Sequence, residues 1–468
     1  MNTQEMIQFI QSKALDPMFH ELYGEAENAR ERYLRCVHSH QELYGDVDEL
    51  LLFSTPGRTE IGGNHTDHQN GRVLAGAVSL DIIAAVSRNT KNIIRLQSEG
   101  YPADLVDLWD LHIKERERNK SAALIRGVAA RIKSLGHRVS GFDAYTMSDV
   151  LGGSGLSSSA AFEVLIAQIM NTLFCEDSLS PVELAMISQY AENTYFGKPS
   201  GLMDQTACAV GDCVALDFEN PANPAGERID FDLAGYGYQL VIVNCRADHA
   251  FLTADYASIP ADMKAVSRHF GKNVLREVSP QDFYASLSVL RKTAGDRAVL
   301  RAAHFFDENE RVVEMKQAIL DQNISRFLEL VDESGRSSYE LLQNIYSEKT
   351  PREQSLAVAL CVARRALRTP FSGGARTGNE ADSPAACAAE NEAQNSSHTQ
   401  RNGPTNSLAA CAAFRGACRV HGGGFAGTIQ AYVPNASLPS FVSELEAVFG
   451  EGCCQVLTIR KHGAIHLA

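Results

Sequence analysis

No uninterrupted apolar run in the sequence approaches the ~20 residues that a membrane-crossing helix needs. Met1 to Leu15 also lacks the basic-then-apolar pattern of a secretory signal. A cytoplasmic protein is therefore expected, with no membrane partner. Positive charge is in short supply: 43 Lys+Arg against 57 Asp+Glu leave a net charge of −14. A nucleic-acid binder usually shows the opposite balance, so no nucleic-acid partner is expected. An anionic small molecule stays compatible, because a few local donors can hold a phosphate. None of the 11 cysteines forms a CxxC pair, their number is odd, and Cys453 and Cys454 are adjacent. Reduced thiols are expected and a zinc site is not. Internal repeats are absent, and so is the GxxxxGK[ST] phosphate loop.

What is present is enough apolar material for a sizeable core. Of 468 residues, 44% are hydrophobic and 21% charged, which excludes global disorder. The length suggests two domains or three small ones. Phe9, Ile10, Leu15, Phe19 and Leu22 recur at helical spacing, and Tyr33, Leu34 and Leu43 continue the pattern. Leu50 to Phe53 is a short apolar run leading into a loop expected from Pro56 to Gly71. Strands are expected over Val78–Val86, Phe142–Met147, Tyr238–Cys245 and Thr428–Val433. Ala161 to Phe174 is apolar on nearly every face and reads as a buried helix. Ser180-Pro181-Val182-Glu183 combines an N-cap, a first-turn proline and a capping-box glutamate, so a helix should run to about Tyr195, where Gly197 to Gly201 breaks it. A long helical region follows to about Gln343. Arg368 to Ser407 contains no Val, Ile, Leu, Met, Tyr or Trp. Such a stretch cannot offset its ordering entropy and reads as a disordered insertion or a locally misread frame.

Four segments carry chemistry. Gly152-Gly-Ser-Gly-Leu-Ser-Ser-Ser-Ala160 lies between a strand and a buried helix, where glycines allow close approach and the helix start offers free N–H groups to an anion. Arg58 precedes Asn64-His65-Thr66-Asp67-His68, a polar cluster suited to phosphate charge and sugar hydroxyls. It is suited to a metal only if a distant ligand joins it. Glu192 and Asp204, twelve residues apart, offer one carboxylate for a divalent ion and one for a base. Gly422-Gly-Gly-Phe-Ala-Gly427 suggests backbone packed closely on backbone or ligand.

Taken together, and in this order, these segments resemble the GHMP small-molecule kinases, galactokinases most closely. Pro56-Gly57-Arg58-Thr-Glu-Ile-Gly-Gly63-Asn64-His65-Thr66-Asp67 resembles a signature that usually reads PGRVNLIGEHTD. Gly152–Ala160 is similar to the family's phosphate loop, Ala191-Glu192-Asn193 with Gly201-Leu-Met-Asp204-Gln205 to its AEN…GIMDQ segment, and Arg419–Gly427 to its third glycine motif. The resemblance implies an α+β, two-lobed fold. Its N-terminal lobe holds a left-handed βαβ unit, and its C-terminal lobe is an α/β sandwich with an antiparallel sheet. It divides the chain into a helical extension (1–48), an ATP- and sugar-binding lobe (49–235) and a second lobe (236–468) interrupted by 368–407.

The resemblance further implies an enzyme that phosphorylates a sugar at its anomeric C1 hydroxyl with ATP and Mg²⁺. Asp204 would take the hydroxyl proton, and Arg58 would lower the Asp204 pKa and steady the transferring phosphoryl group. Gly153, Ser154, Gly155, Leu156, Ser157, Ser158 and Ser159 would hold ATP, and Ser159 and Glu192 the Mg²⁺. Asn64, His65, Thr66, Asp67 and Tyr256 would hold the sugar. The departures are Asn64 in place of the usual Glu, His68 in place of Tyr, and changes at Thr59, Glu60 and Gly62. They leave galacturonate, N-acetylgalactosamine and arabinose beside galactose as acceptors, and a non-catalytic sugar and ATP sensor as the other class. Asn64→Glu is expected to shift preference toward galactose. The nearby insertion is expected to leave Gly422 to Gly424 less firmly held.

Overall fold

The computed structural model describes residues 1–150, 156–198, 200–221, 224–246, 252–368 and 416–468. The helical start is realised as α1 (Thr3–Gln11), α2 (Asp16–Tyr23) and α3 (Glu27–Tyr44). Asn2 and Glu5 form a capping box on α1, and Gly24 ends α2 at φ 78°, a left-handed position that suits glycine. Met6, Ile10, Phe19, Tyr33 and Val37 of these helices pack on Leu52, Ile83 and Ala85 of the first sheet.

That sheet contains β1 (Leu51–Gly62), β2 (Arg72–Arg88), β3 (Ile93–Ser98), β4 (Asp104–Asp107), β5 (Phe142–Ser148), β6 (Cys213–Asp217) and β7 (Ala225–Ile229). Helix α4 (Ser121–Ser134) lies in the crossover from β4 to β5. Helices α5 (Ser158–Phe174), α6 (Pro181–Tyr190) and α7 (Met203–Val210) separate β5 from β6. β3 and β5 pair in parallel, while β1–β2, β2–β5 and β2–β6 pair antiparallel. The sheet is mixed, in an α+β protein.

The second sheet comprises β8 (Tyr238–Asn244), β9 (Ala417–His421), β10 (Thr428–Pro434) and β11 (Cys454–Leu457), in the antiparallel order β11-β8-β10-β9. Between β8 and β9 run α8 (Thr253–His269), α9 (Pro280–Ala285), α10 (Leu287–Thr293), α11 (Asp296–Leu320), α12 (Ile324–Ser337) and α13 (Ser355–Arg368). Helix α14 (Leu438–Phe449) joins β10 to β11. A last strand, β12 (Ile465–His466), returns to the first sheet, where its His466 faces Phe53 of β1. The two sheets therefore do not divide cleanly at residue 235.

The loop expected over 56–71 is half strand. β1 runs on to Gly62 and pairs with β2, which begins at Arg72 rather than Val78. Register shifts at Pro56/Arg58 and Glu60/Gly62 absorb the residues that look like loop punctuation in the sequence. Within the expected insertion 368–407, Arg368 ends α13 and the rest lies outside the described residues, as do Gly153, Ser154 and Gly155.

A buried charge cluster locks β1 and β2 to their neighbours. Asp81 on β2 is fully buried and accepts from Tyr23 (2.6 Å), Arg32 (2.6 Å), Arg460 (3.0 Å) and Ser54. Burial alone would raise its pKa, but the two arginines hold it below the ordinary value.

Candidate active site

Arg58 and Glu60 are two residues apart on β1, so both side chains leave the same face of the strand. The Arg58 guanidinium meets Asp204 through two parallel bonds, Nε to Oδ1 at 2.6 Å and Nη2 to Oδ2 at 2.8 Å. Asp204 lies in the first turn of α7, where free N–H groups and the helix dipole favour a carboxylate. Ser157, the left-handed residue (φ 53°) that opens α5, donates its hydroxyl to Asp204 Oδ2. Burial pushes the Asp204 pKa up, yet the charge and hydrogen bonds of Arg58 outweigh it and hold it below the usual aspartate value. Asp204 is ionised at neutral pH.

Helix α6 widens into a π-helical turn over Ala191–Phe196. Such turns re-aim a side chain that a regular helix would place elsewhere. Gly127 permits the turn to pack against α4, since a Cβ there would lie 2.7 Å from that of Ala191. The turn buries Glu192, whose Oε1 accepts from Lys198 (2.9 Å) and Ser159 (3.3 Å), and whose Oε2 accepts from Gln205 (2.9 Å). Gln205 also donates to Glu163 Oε1 at 2.7 Å. Glu163 is fully buried, and its Oε2 has no partner among the described residues. Burial, then the nearby Glu192 charge, raises the Glu163 pKa well above the usual glutamate value. Among the described residues no three His, Cys, Asp or Glu side chains gather as a metal cluster.

The glycine turn between β9 and β10 closes the other side. Its three successive carbonyls each accept from a side chain. Asn64 Nδ2 donates to Gly422 (2.7 Å), His65 Nε2 to Gly423 (2.9 Å), and the Tyr256 hydroxyl to Gly424 (2.8 Å). Asn344 also donates to Gly423 at 3.2 Å. Gly424 is in the left-handed region (φ 79°), and a Cβ there would meet the Asn344 carbonyl at 2.1 Å. The turn is firmly held, contrary to the expectation from the nearby insertion. Arg58, Glu60, Asn64, His65, Asp67, Lys198, Asp204, Tyr256, Gly422 and Gly423 line one cavity of about 320 Å³. A larger open hollow of about 840 Å³ along α13 contains none of the expected site residues.

Residues 123–212 match the family described as GHMP kinases N terminal domain, and residues 38–88 match the galactokinase galactose-binding signature. A galactokinase from Streptomyces coelicolor is 34% identical over 337 residues, covering 71% of this chain and 84% of that protein. The chain belongs to the galactokinase family. A second relative, a galactokinase from Clostridium tetani, is 30% identical over 349 residues, with 71% and 84% covered. Lactococcus lactis galactokinase, solved with galactose, shares the fold at a TM-score of 0.70 and 20% identity, with 92% of this chain and 98% of that one covered. Mevalonate kinase from Methanococcus jannaschii does so at 0.56 and 12%, with 88% and 99% covered. The fold is that of the GHMP kinases, and this galactokinase-family chain is a sugar kinase that uses ATP.

The structure brings Arg58 to Asp204, Ser159 to Glu192, and Asp67 with Tyr256 to the same cavity. It gives other residues of the galactokinase signature different work. Thr66 is fully buried, with its hydroxyl between the carbonyls of Gly63 (2.8 Å) and Arg72 (2.6 Å), so it shapes the turn and does not line the cavity. A carbonyl can only accept, so the His65 ring hydrogen sits on Nε2 and is spent on Gly423. Its Nδ1 is buried without a partner among the described residues. Burial, then His68, holds the His65 pKa well below the usual histidine value, so the ring is neutral. Ser157, expected on phosphate, bonds Asp204. The sequence alone assigns no role to Glu60, Lys198, Gln205 or Glu163. Gln205 lies in the quoted GLMDQ segment and Lys198 in the turn before it, so both could have been found there; nothing local marks Glu163 among the apolar residues of α5.

Proposed function

We propose that the chain transfers the γ-phosphoryl group of ATP to the C1 hydroxyl of galactose, giving galactose 1-phosphate. The bidentate Arg58–Asp204 pair at the wall of a cavity lined by the sugar-kinase signature carries this reading. A sugar hydroxyl is a weak nucleophile, and phosphoryl transfer is mainly positioning and charge neutralisation. Asp204 is ionised and has one lone pair beyond the three that take Arg58 and Ser157, so it accepts the hydroxyl proton as the new bond forms. Arg58 keeps Asp204 ionised and offsets negative charge beside it. Leu156, Ser158 and Ser159 at the start of α5, with Gly153, Ser154 and Gly155, hold the phosphates, while Ser157 keeps its hydroxyl on Asp204. Asp67 and Tyr256 hold the sugar.

Ser159 and Glu192 provide the hard oxygen pair that Mg²⁺ prefers, and the donors now crowding Glu192 fit a carboxylate awaiting a cation. Bound there with ATP, the ion would neutralise phosphate charge. Among the described residues the nine cysteines are free thiols, and no helix is long and apolar enough to cross a membrane. Free thiols and ATP use support a cytoplasmic enzyme. The test is coupled ADP release across galactose, galacturonate, N-acetylgalactosamine and arabinose, with the product identified as the 1-phosphate. Turnover fastest with galactose is expected. Sugar binding without ADP release from any of the four would reject the enzyme reading.

A further inference from the structure

The usual signature, PGRVNLIGEHTD, has an amide at the position of residue 60 and a carboxylate at that of residue 64. This chain has Glu60 and Asn64. The same two chemical groups are present, with their positions exchanged. The structure shows the pair in contact, as Asn64 Nδ2 donates to Glu60 Oε1 at 3.0 Å.

The two side chains have different freedom. Asn64 is fully buried, and both ends of its amide are used. Nδ2 donates to Glu60 and to Gly422, while Oδ1 accepts from Asn344 (2.9 Å) and Ser338 (3.5 Å). Glu60 is 6% exposed and opens on the cavity that contains Arg58 and Asp204. Its Oε1 takes both Asn64 and the buried Arg419, and its Oε2 has no hydrogen-bond partner among the described residues. A carboxylate oxygen in a polar cavity, held by its sibling's two bonds and lacking a donor of its own, is an acceptor set for a ligand hydroxyl.

We propose that Glu60 is the carboxylate that reads a sugar hydroxyl in this chain, and that Asn64 is a positioning residue that fixes Glu60 against the glycine turn. The proposal rests on the sugar-kinase reading and names the specificity residue within it. It also revises the expected effect of Asn64→Glu. A carboxylate at 64, with Glu60 still in place, would face the Glu60 carboxylate and the Gly422 carbonyl, both acceptors, in a buried setting. The single change should weaken turnover of every sugar, galactose included.

The experiment compares wild type with Glu60→Gln, Glu60→Asp and the exchange variant Glu60→Asn/Asn64→Glu. Each is assayed for kcat and KM with galactose and with its 2-, 3-, 4- and 6-deoxy forms, alongside the KM for ATP. In wild type one deoxy sugar should be penalised in kcat/KM because Glu60 loses its donor. In Glu60→Gln that one penalty should shrink by about tenfold or more, with the other three ratios and the ATP KM unchanged. The exchange variant should restore it. Glu60→Asp keeps the charge facing Arg419 but withdraws the free oxygen, so it should lose the same penalty even if Glu60→Gln fails to fold. Uniform scaling of all five sugars in Glu60→Asp, or an intact set of penalties, would overturn the proposal. If wild type does not phosphorylate galactose, the galactose reading fails, and deoxy forms of the sugar that is phosphorylated decide the role of Glu60.

Discussion

Asp204→Asn is the sharpest test of the proposed chemistry. The amide has nearly the size of the carboxylate but only one acceptor oxygen. Three donors converge on the carboxylate, Arg58 Nε and Nη2 and the Ser157 hydroxyl, so at least one must face an N–H group in the variant. Arg58, 8% exposed, also loses its counter-charge. A positioned general base contributes about 10²–10⁴ in rate, equivalent to ~3–5 kcal/mol of barrier. The kcat measured by coupled ADP release should fall by that factor, with the KM values for sugar and ATP changed little. The pH profile supplies a second readout. A depressed pKa keeps Asp204 ionised until the pH falls below the usual aspartate value, so wild-type kcat/KM should show no inflection from this group near neutrality. In Arg58→Met, burial acts against the charged form without that cation, and the acid limb should move to higher pH. A folded Asp204→Asn protein keeping more than about a tenth of wild-type kcat would refute the base assignment. An acid limb unmoved by Arg58→Met would refute the role given to Arg58.

Further expectations follow from other contacts. Asp81→Asn leaves the buried Arg460 without its carboxylate and Arg32 with Asp149 alone, and should cost about 3–5 kcal/mol in urea unfolding. Because the native Asp81 pKa is depressed, its contribution is complete above the unfolded-state pKa, and it should fade only as pH falls through the native value. Glu192→Gln should raise the Mg²⁺ concentration giving half-maximal activity while leaving galactose affinity, measured by calorimetry, unchanged. Gly423→Ala would put a Cβ 2.3 Å from the Tyr256 ring, displacing its 2.8 Å bond to Gly424. Losing one such bond, about 1 kcal/mol, predicts a roughly fivefold rise in galactose KM with the ATP KM unmoved.

Signals that act locally were legible in the sequence. The Ser180–Glu183 capping box is formed, the apolar stretch from Ala161 lies within the buried α5, and the opening helices are where their spacing puts them. After Phe53 the β1 sequence looks like a loop because Pro56, Gly57, Gly62 and Gly63 are turn residues. Two register shifts let a strand carry them, and pairing partners some 20 residues away are invisible in a local pattern. The partners of Asn64, His65 and Tyr256 were hidden for the same reason. Motif spacing brings them to the site, but only the returning Gly422–Gly424 turn, more than 150 residues from each, shows where their hydrogen bonds go. Arg58 with Asp204 was foreseen through the resemblance; the Ser157 bond to that carboxylate was not.

The strand that carries Arg58 takes its outer neighbour from β12, and Arg460 just before β12 enters the Asp81 cluster. Phe53 thus waits for a partner roughly 400 residues further along, which at ~5–20 residues per second is tens of seconds of ribosomal synthesis. During that interval β1 has an open edge and Asp81 lacks one of its two cations. The proposed catalytic strand can be fully framed only after translation has passed residue 466, so active enzyme should appear only once the finished chain is released, and all at once.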